Sequence, residues 1–237
     1  MRSATPHVIT VLTLVLPFLF AAVTLSDGPA SNDRQRKVAI MLYPGVELLD
    51  FAGPGEVFAA AGHGRAFEVY TVGLSTESLL SQGFVRVVPE YSVKNAPQPD
   101  VIVVPGGNVG TLMNDDAAMA WIRESAEEAT ILSVCNGALA LAELGLLNGL
   151  EATTHHGSID SLRSWSEEIR VHDDARFVDN GNVITSAGVS AGIDASLHLV
   201  GRLLAPEVAQ ATARYMEYDW RPEHMKEHSV QRAAATP

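Results

Sequence analysis

The sequence predicts an α/β fold, a doubly wound and mostly parallel sheet with helices on both faces. Three observations carry the prediction. From residue 37 onward, short apolar runs alternate with segments of helical spacing. Two of the runs, DVIVV at 100–104 and TILSV at 130–134, lack the polar–apolar alternation of a half-exposed strand, as strands covered on both faces do. Turn and helix-stop residues punctuate the pattern, notably Pro44-Gly45 and Pro105-Gly106-Gly107.

The elements follow in order. Residues 37–43 (KVAIMLY) read as a strand. Residues 46–61 carry Leu48, Leu49, Val57 and Phe58 at helical spacing, with Gly62 and Gly64 as stops. Residues 67–72 are a second strand, and 84–88 a peripheral one ending at Pro89. The apolar strand at 100–104 leads to an amphipathic helix at 115–129. The strand at 130–134 runs directly into a helix at 136–144, closed by Gly145 and Gly149. A short strand at 151–154 and a small helix at 158–165 come next. Late strands fall at 171, 176–178 and 183–185, with Asn180-Gly181 as a hairpin turn. Helices at 190–204 and 206–218 complete the fold. One domain over residues 36–220 is expected, followed by a polar, poorly ordered tail at 221–237.

Before that domain, Arg2 precedes an apolar run from Val8 to Val23, and small and polar residues follow to Ala30. This is the order of a secretory signal peptide spanning residues 1–30. The run of 16 residues is short for a membrane span, which needs about 20, and Pro17 interrupts it. Cleavage near Ala30 and an exported protein are expected; a retained N-terminal anchor is the alternative. The net charge of −12, with 16 basic against 28 acidic residues, argues against nucleic acid as a partner. One cysteine excludes an internal disulfide and a thiolate metal cluster. Neither a metal nor a cofactor is expected, and after cleavage no membrane contact.

Ligands of open α/β sheets bind beyond the carboxyl ends of the strands. Cys135 sits there, between the strand at 130–134 and the next helix, where a nucleophile elbow would hold it. The N–H groups of a helix start lower a thiol pKa, favouring a reactive thiol over a packed core cysteine. Gly106 and Gly107 leave backbone N–H groups uncovered beside it, suited to an oxyanion, or else simply make a tight turn. Asp50 stands among Leu48, Leu49 and Phe51, where an ionised carboxyl is costly; the alternative is a helix carboxylate facing water. His155 and His156 follow a strand, and either could serve the thiol as base.

Other motifs fail. No Lys-Ser/Thr follows Gly106-Gly107, so there is no phosphate loop. Phe58 occupies the third glycine position after Gly53 and Gly55, which breaks the dinucleotide fingerprint. Gly188-Val189-Ser190-Ala191-Gly192 matches GxSxG, but no acid-then-histidine order follows it on further strands. Ser190 is expected to cap the next helix.

The ordered set GVELLDFAGPGEVF, VIVVPGG, SVCNGALALAELGLLNG, ATTHHGS and ITSAGVSAGID resembles the ThiJ/PfpI superfamily, of class I glutamine amidotransferase-like type. Within it, the set looks most like isocyanide hydratases and the amidotransferase-like domain of AraC-type regulators. The resemblance implies a flavodoxin-like fold and a homodimer acting on a small molecule. It makes Cys135 the nucleophile and Asp50 the carboxyl beside it, with Gly106, Gly107, Asn136 and His155 contributing oxyanion or substrate contacts. Asn136 replaces the threonine of isocyanide hydratases, and His156 the tryptophan of the usual His-Trp pair. A thiol-dependent hydration of an electrophilic carbon is implied. The alternatives are a non-catalytic ligand- or redox-sensing domain and, by family analogy alone, a chaperone or aldehyde-handling enzyme.

Overall fold

In the computed structural model, residues 34–224 and 227–229 are described. The segment read as a signal peptide lies outside them. The chain runs β1 (Arg36–Leu42), α1 (Leu48–Gly64), β2 (Phe67–Gly73), β3 (Leu79–Ser81), β4 (Val85–Val87), β5 (Tyr91–Ser92), β6 (Val101–Val104), α2 (Val109–Met113), α3 (Asp116–Ser125) and β7 (Thr130–Val134). A 3₁₀ turn at Cys135–Gly137 leads into α4 (Ala138–Glu143), β8 (Glu151–Ala152), α5 (Ile159–Trp165), β9 (Arg170–Val171), β10 (Phe177–Asp179) and β11 (Val183–Ser186). The chain continues through α6 (Ala191–Leu203), α7 (Pro206–Tyr215) and β12 (Glu227–Ser229).

The main sheet has the order β12-β10-β11-β7-β6-β1-β2-β5. From β11 to β5 every pairing is parallel, while β10 runs antiparallel to β11. This is the flavodoxin-like arrangement, and its switch point lies between β1 and β6. Alternation along each strand divides the core in two. Ala39, Met41 and Ile102 pack with Leu112, Ile122 and Leu141 of the layer built by α2 to α5. Val38, Ile40 and Val103 pack with Phe58, Leu197 and Val200 of the layer built by α1, α6 and α7.

The predicted strands of the parallel core are present. The peripheral strand at 84–88 is β4, which pairs only with β3, away from the main sheet. Its hairpin braces the chain after β1: Gly45 N–H donates to the Leu80 carbonyl (2.8 Å) and Ser81 Oγ to the Val46 carbonyl (2.7 Å). Within the polar tail, Glu227–Ser229 adds an edge strand parallel to β10. The exposed ladder of β10 supplies the missing partners, which tail composition could not reveal. Among the described residues, no helix is long and apolar enough to cross a membrane.

Candidate active site

β1, β6, β7 and β11 deliver their carboxyl ends to one place. Cys135 leaves β7 with φ of 59°, a left-handed conformation that an L-residue adopts at a cost of about 1–3 kcal/mol. Two hydrogen bonds hold it there. Cys135 N–H donates to the Ala187 carbonyl (3.2 Å), and Thr154 Oγ1 donates to the Cys135 carbonyl (2.8 Å). Glycine is required at both approaches to the elbow. A Cβ on Gly137 would strike the carbonyls of Val104 and Pro105, and one on Gly106 would strike the side chains of Asn136, Cys135 and Asp50.

Asp50 enters from the first turn of α1 and is fully buried. Gly106 N–H donates to its Oδ2 (3.0 Å), while Oδ1 has no conventional hydrogen-bond partner. Burial pushes the carboxyl up to about 6, against the pull of the Gly106 N–H, and nearby Glu47 pushes the same way. The Cys135 thiol is pushed up to about 12, first by burial and then by the Asp50 charge; the N–H groups of Asn136 and Val189 oppose this without overcoming it. The expected lowering of the thiol is therefore present in its donors and reversed in its sum. The two groups titrate as a pair. Above about pH 6 they hold one proton between them, on sulfur at rest, with the carboxylate poised to receive it.

The glycine loop differs from the expectation. Gly106 N–H is committed to Asp50, and Gly107 N–H donates to Asn136 Oδ1 (2.8 Å). Neither is open to an oxyanion. Asn136 Nδ2 returns a bond to the Gly107 carbonyl (3.0 Å), so its amide clasps the glycine loop to the elbow instead of projecting toward a substrate. The backbone N–H groups that favour the thiolate are those of Asn136 and Val189. Val189 also has a left-handed φ, 55°, an outlier for a β-branched residue.

Sequence reasoning missed two contributors, Val189 and Tyr43. The buried Tyr43 hydroxyl lies 2.7 Å from the Pro105 carbonyl and 2.8 Å from that of Gly106, fixing the loop from beneath. Its position at the end of the first apolar strand was the available signal. Ser190 precedes α6 but its side chain caps no N–H; Oγ accepts from Arg176 Nη2 (2.9 Å). The expected cap fails because Ser190 is itself helical, with φ −68° and ψ −17°, where a capping serine is extended. His155 Nδ1 accepts from Gly157 N–H (3.1 Å), and burial lowers its pKa. No hydrogen bond between it and the thiol is present among the described residues. His155 instead lines a cavity of about 320 Å³ next to the elbow, with His156, Arg176 and Val189.

The chain is similar to known proteins. The model of the DJ-1/PfpI family matches residues 36–202. An isonitrile hydratase from Pseudomonas putida is 36% identical over 184 residues, covering 77% of this chain and 78% of that protein. The HTH-type transcriptional regulator GbdR of Pseudomonas aeruginosa is 25% identical over 196 residues, or 81% of this chain and 53% of the regulator. Among solved structures, a ThiJ/PfpI family protein from Pseudomonas syringae superposes with a TM-score of 0.71 at 32% identity, covering 86% of this chain and 85% of that one. Family match and superposition agree with the flavodoxin-like sheet and with a cysteine on the strand–helix turn. The chain belongs to the DJ-1/PfpI family.

Proposed function

We propose that the chain is a cysteine-dependent enzyme of isonitrile-hydratase type, adding water to a small electrophilic carbon. The buried pair of Cys135 and Asp50, with one proton between them, carries this reading. As sulfur attacks the terminal carbon of an isonitrile, its proton passes to Asp50 and from there to that carbon, leaving a thioimidate. Water then adds to the thioimidate carbon, giving one proton to Asp50 and protonating the imine nitrogen. The C–S bond breaks, sulfur recovers a proton from Asp50, and an N-substituted formamide leaves. The N–H groups of Asn136 and Val189 stabilise the charge that develops on sulfur. The likeness to the P. putida hydratase supports the reaction class.

A panel of isonitriles, α-oxoaldehydes and small amides tests it, with wild type set against Cys135→Ala. Formamide production by wild type and none by a folded Cys135→Ala protein is the expected result. Isonitrile turnover retained in Cys135→Ala refutes the mechanism. A second reading, a non-catalytic ligand-sensing domain, is favoured by the thiol held near 12 and by the similarity to a regulator; a thiol raised this far counts against redox sensing. It gains ground if no member of the panel is turned over. We also propose export through cleavage of residues 1–30, and assembly as a homodimer, both from the sequence reading. Phe84 and Val88, 69% and 67% exposed at the β3–β4 hairpin, are apolar surface available to such an assembly.

A further inference from the structure

The cavity beside the elbow is continuous with it in covalent and hydrogen-bonded structure. Three of its walls bear on Cys135: the Thr154 hydroxyl bonds its carbonyl, the Ala187 carbonyl accepts its N–H, and the Val189 N–H favours its thiolate. Cys135 does not itself line the cavity, but Val189 does, so a substrate held at sulfur and extending past Val189 would place its remaining atoms there. At about 320 Å³ it admits only a small group.

Two of its side chains, Arg176 and His155, are donors. Arg176 is 33% exposed on the wall and rigidly anchored: Nε donates to Asp194 Oδ2 (2.7 Å) and Nη2 to Ser190 Oγ (2.9 Å). Asp194, 2% exposed, stands behind the guanidinium and orients it. His155 accepts at Nδ1 from Gly157, so its neutral ring carries the proton at Nε2, a second donor. The wall's own carboxylate, Asp173, is engaged by Arg163 at 2.8 Å. A planar acceptor with negative charge matches an oriented guanidinium and an imidazole N–H better than an apolar group does.

We propose that this cavity is a carboxylate subsite, and that the substrate is a small electrophile bearing a carboxylate close to its reacting carbon. The proposal rests on Cys135 as the nucleophile. It deepens the hydratase reading by assigning Arg176 and His155 to specificity.

Cys135 is the one cysteine of the chain, so alkylation reports this site alone and needs no turnover. The rates of Cys135 alkylation by iodoacetate and by iodoacetamide are compared in wild type and in the double variant Arg176→Gln, Asp194→Asn. The double variant removes the buried carboxylate together with its partner, leaving no unpaired charge. We expect the iodoacetate-to-iodoacetamide ratio to be about 10-fold higher in wild type, the scale of a lost charge-assisted contact. Equal ratios overturn the proposal. Should the double variant not fold, protection of the wild type decides: acetate or propionate should slow its alkylation by iodoacetamide, and acetamide should not. Protection equal for acid and amide, or absent for both, also overturns it. An alkylation preference without any isonitrile turnover would keep the subsite and remove the hydratase reading.

Discussion

At the scale of residues, the chemistry reduces to where one proton sits. Below about pH 6, Asp50 is protonated as well as Cys135, and sulfur cannot hand its proton on. Turnover should therefore fall as pH drops through about 6, and a kcat/KM profile checks this. Asp50→Asn should remove that limb and lower turnover by about 100-fold, the scale of lost acid–base assistance. Stability carries the same signature with a definite sign. Asp50 ionises near 6 in the folded protein against an ordinary 3.8, so between these values the folded state binds more protons than the unfolded one. Wild type thus loses stability as pH rises through this window, by up to about 3 kcal/mol. Denaturant unfolding should show Asp50→Asn gaining on wild type between pH 4 and pH 8; a difference independent of pH contradicts the buried, raised carboxyl. Asp50 and Cys135 were legible because each closely follows a strand of a parallel sheet. The direction of the thiol shift was not, because burial depth is a tertiary property.

At the scale of elements, the parallel core was legible and its edges were not. β6 and β7 read as continuous apolar runs because both faces are covered. β8 and β9 were read from the short runs at 151–154 and 171, but β5 is a two-residue strand that exists only through its pairing with β2, and α2 is a single turn after the glycine loop. No local pattern announces such elements. Ser190, in the GxSxG at the start of α6, was wrongly read as a cap: its backbone is already helical, and Arg176, on the segment before β10, meets it only in three dimensions. Ser190→Ala should keep Cys135 alkylation and turnover, with any change confined to KM through the loosened Arg176, and cost about 1 kcal/mol through the lost hydrogen bond. Loss of turnover in this variant, with activity kept in Cys135→Ala, reverses the choice of nucleophile. Asn136 is the comparable case at the elbow, visible as a departure from threonine but not as a clasp on Gly107.

At the scale of the whole molecule, the fold serves to bring four loops from separate strands onto one buried pair. The site's own ionisation is held to one negative charge across neutral pH. Export adds a prediction of a different kind: protein recovered from its native host should begin near residue 31, as N-terminal sequencing would read, and an intact Met1 contradicts cleavage. Everything proposed about the reaction rests on Asp50 and Cys135 sharing a proton. With a single cysteine in the chain, thiolate absorbance against pH reads that pair directly in wild type and in Asp50→Asn. The wild-type thiol should stay protonated through neutral pH, and Asp50→Asn should ionise at distinctly lower pH, because the opposing carboxylate charge is gone. Identical titration curves for the two proteins, or a wild-type thiolate already formed at neutral pH, would contradict the shared-proton account.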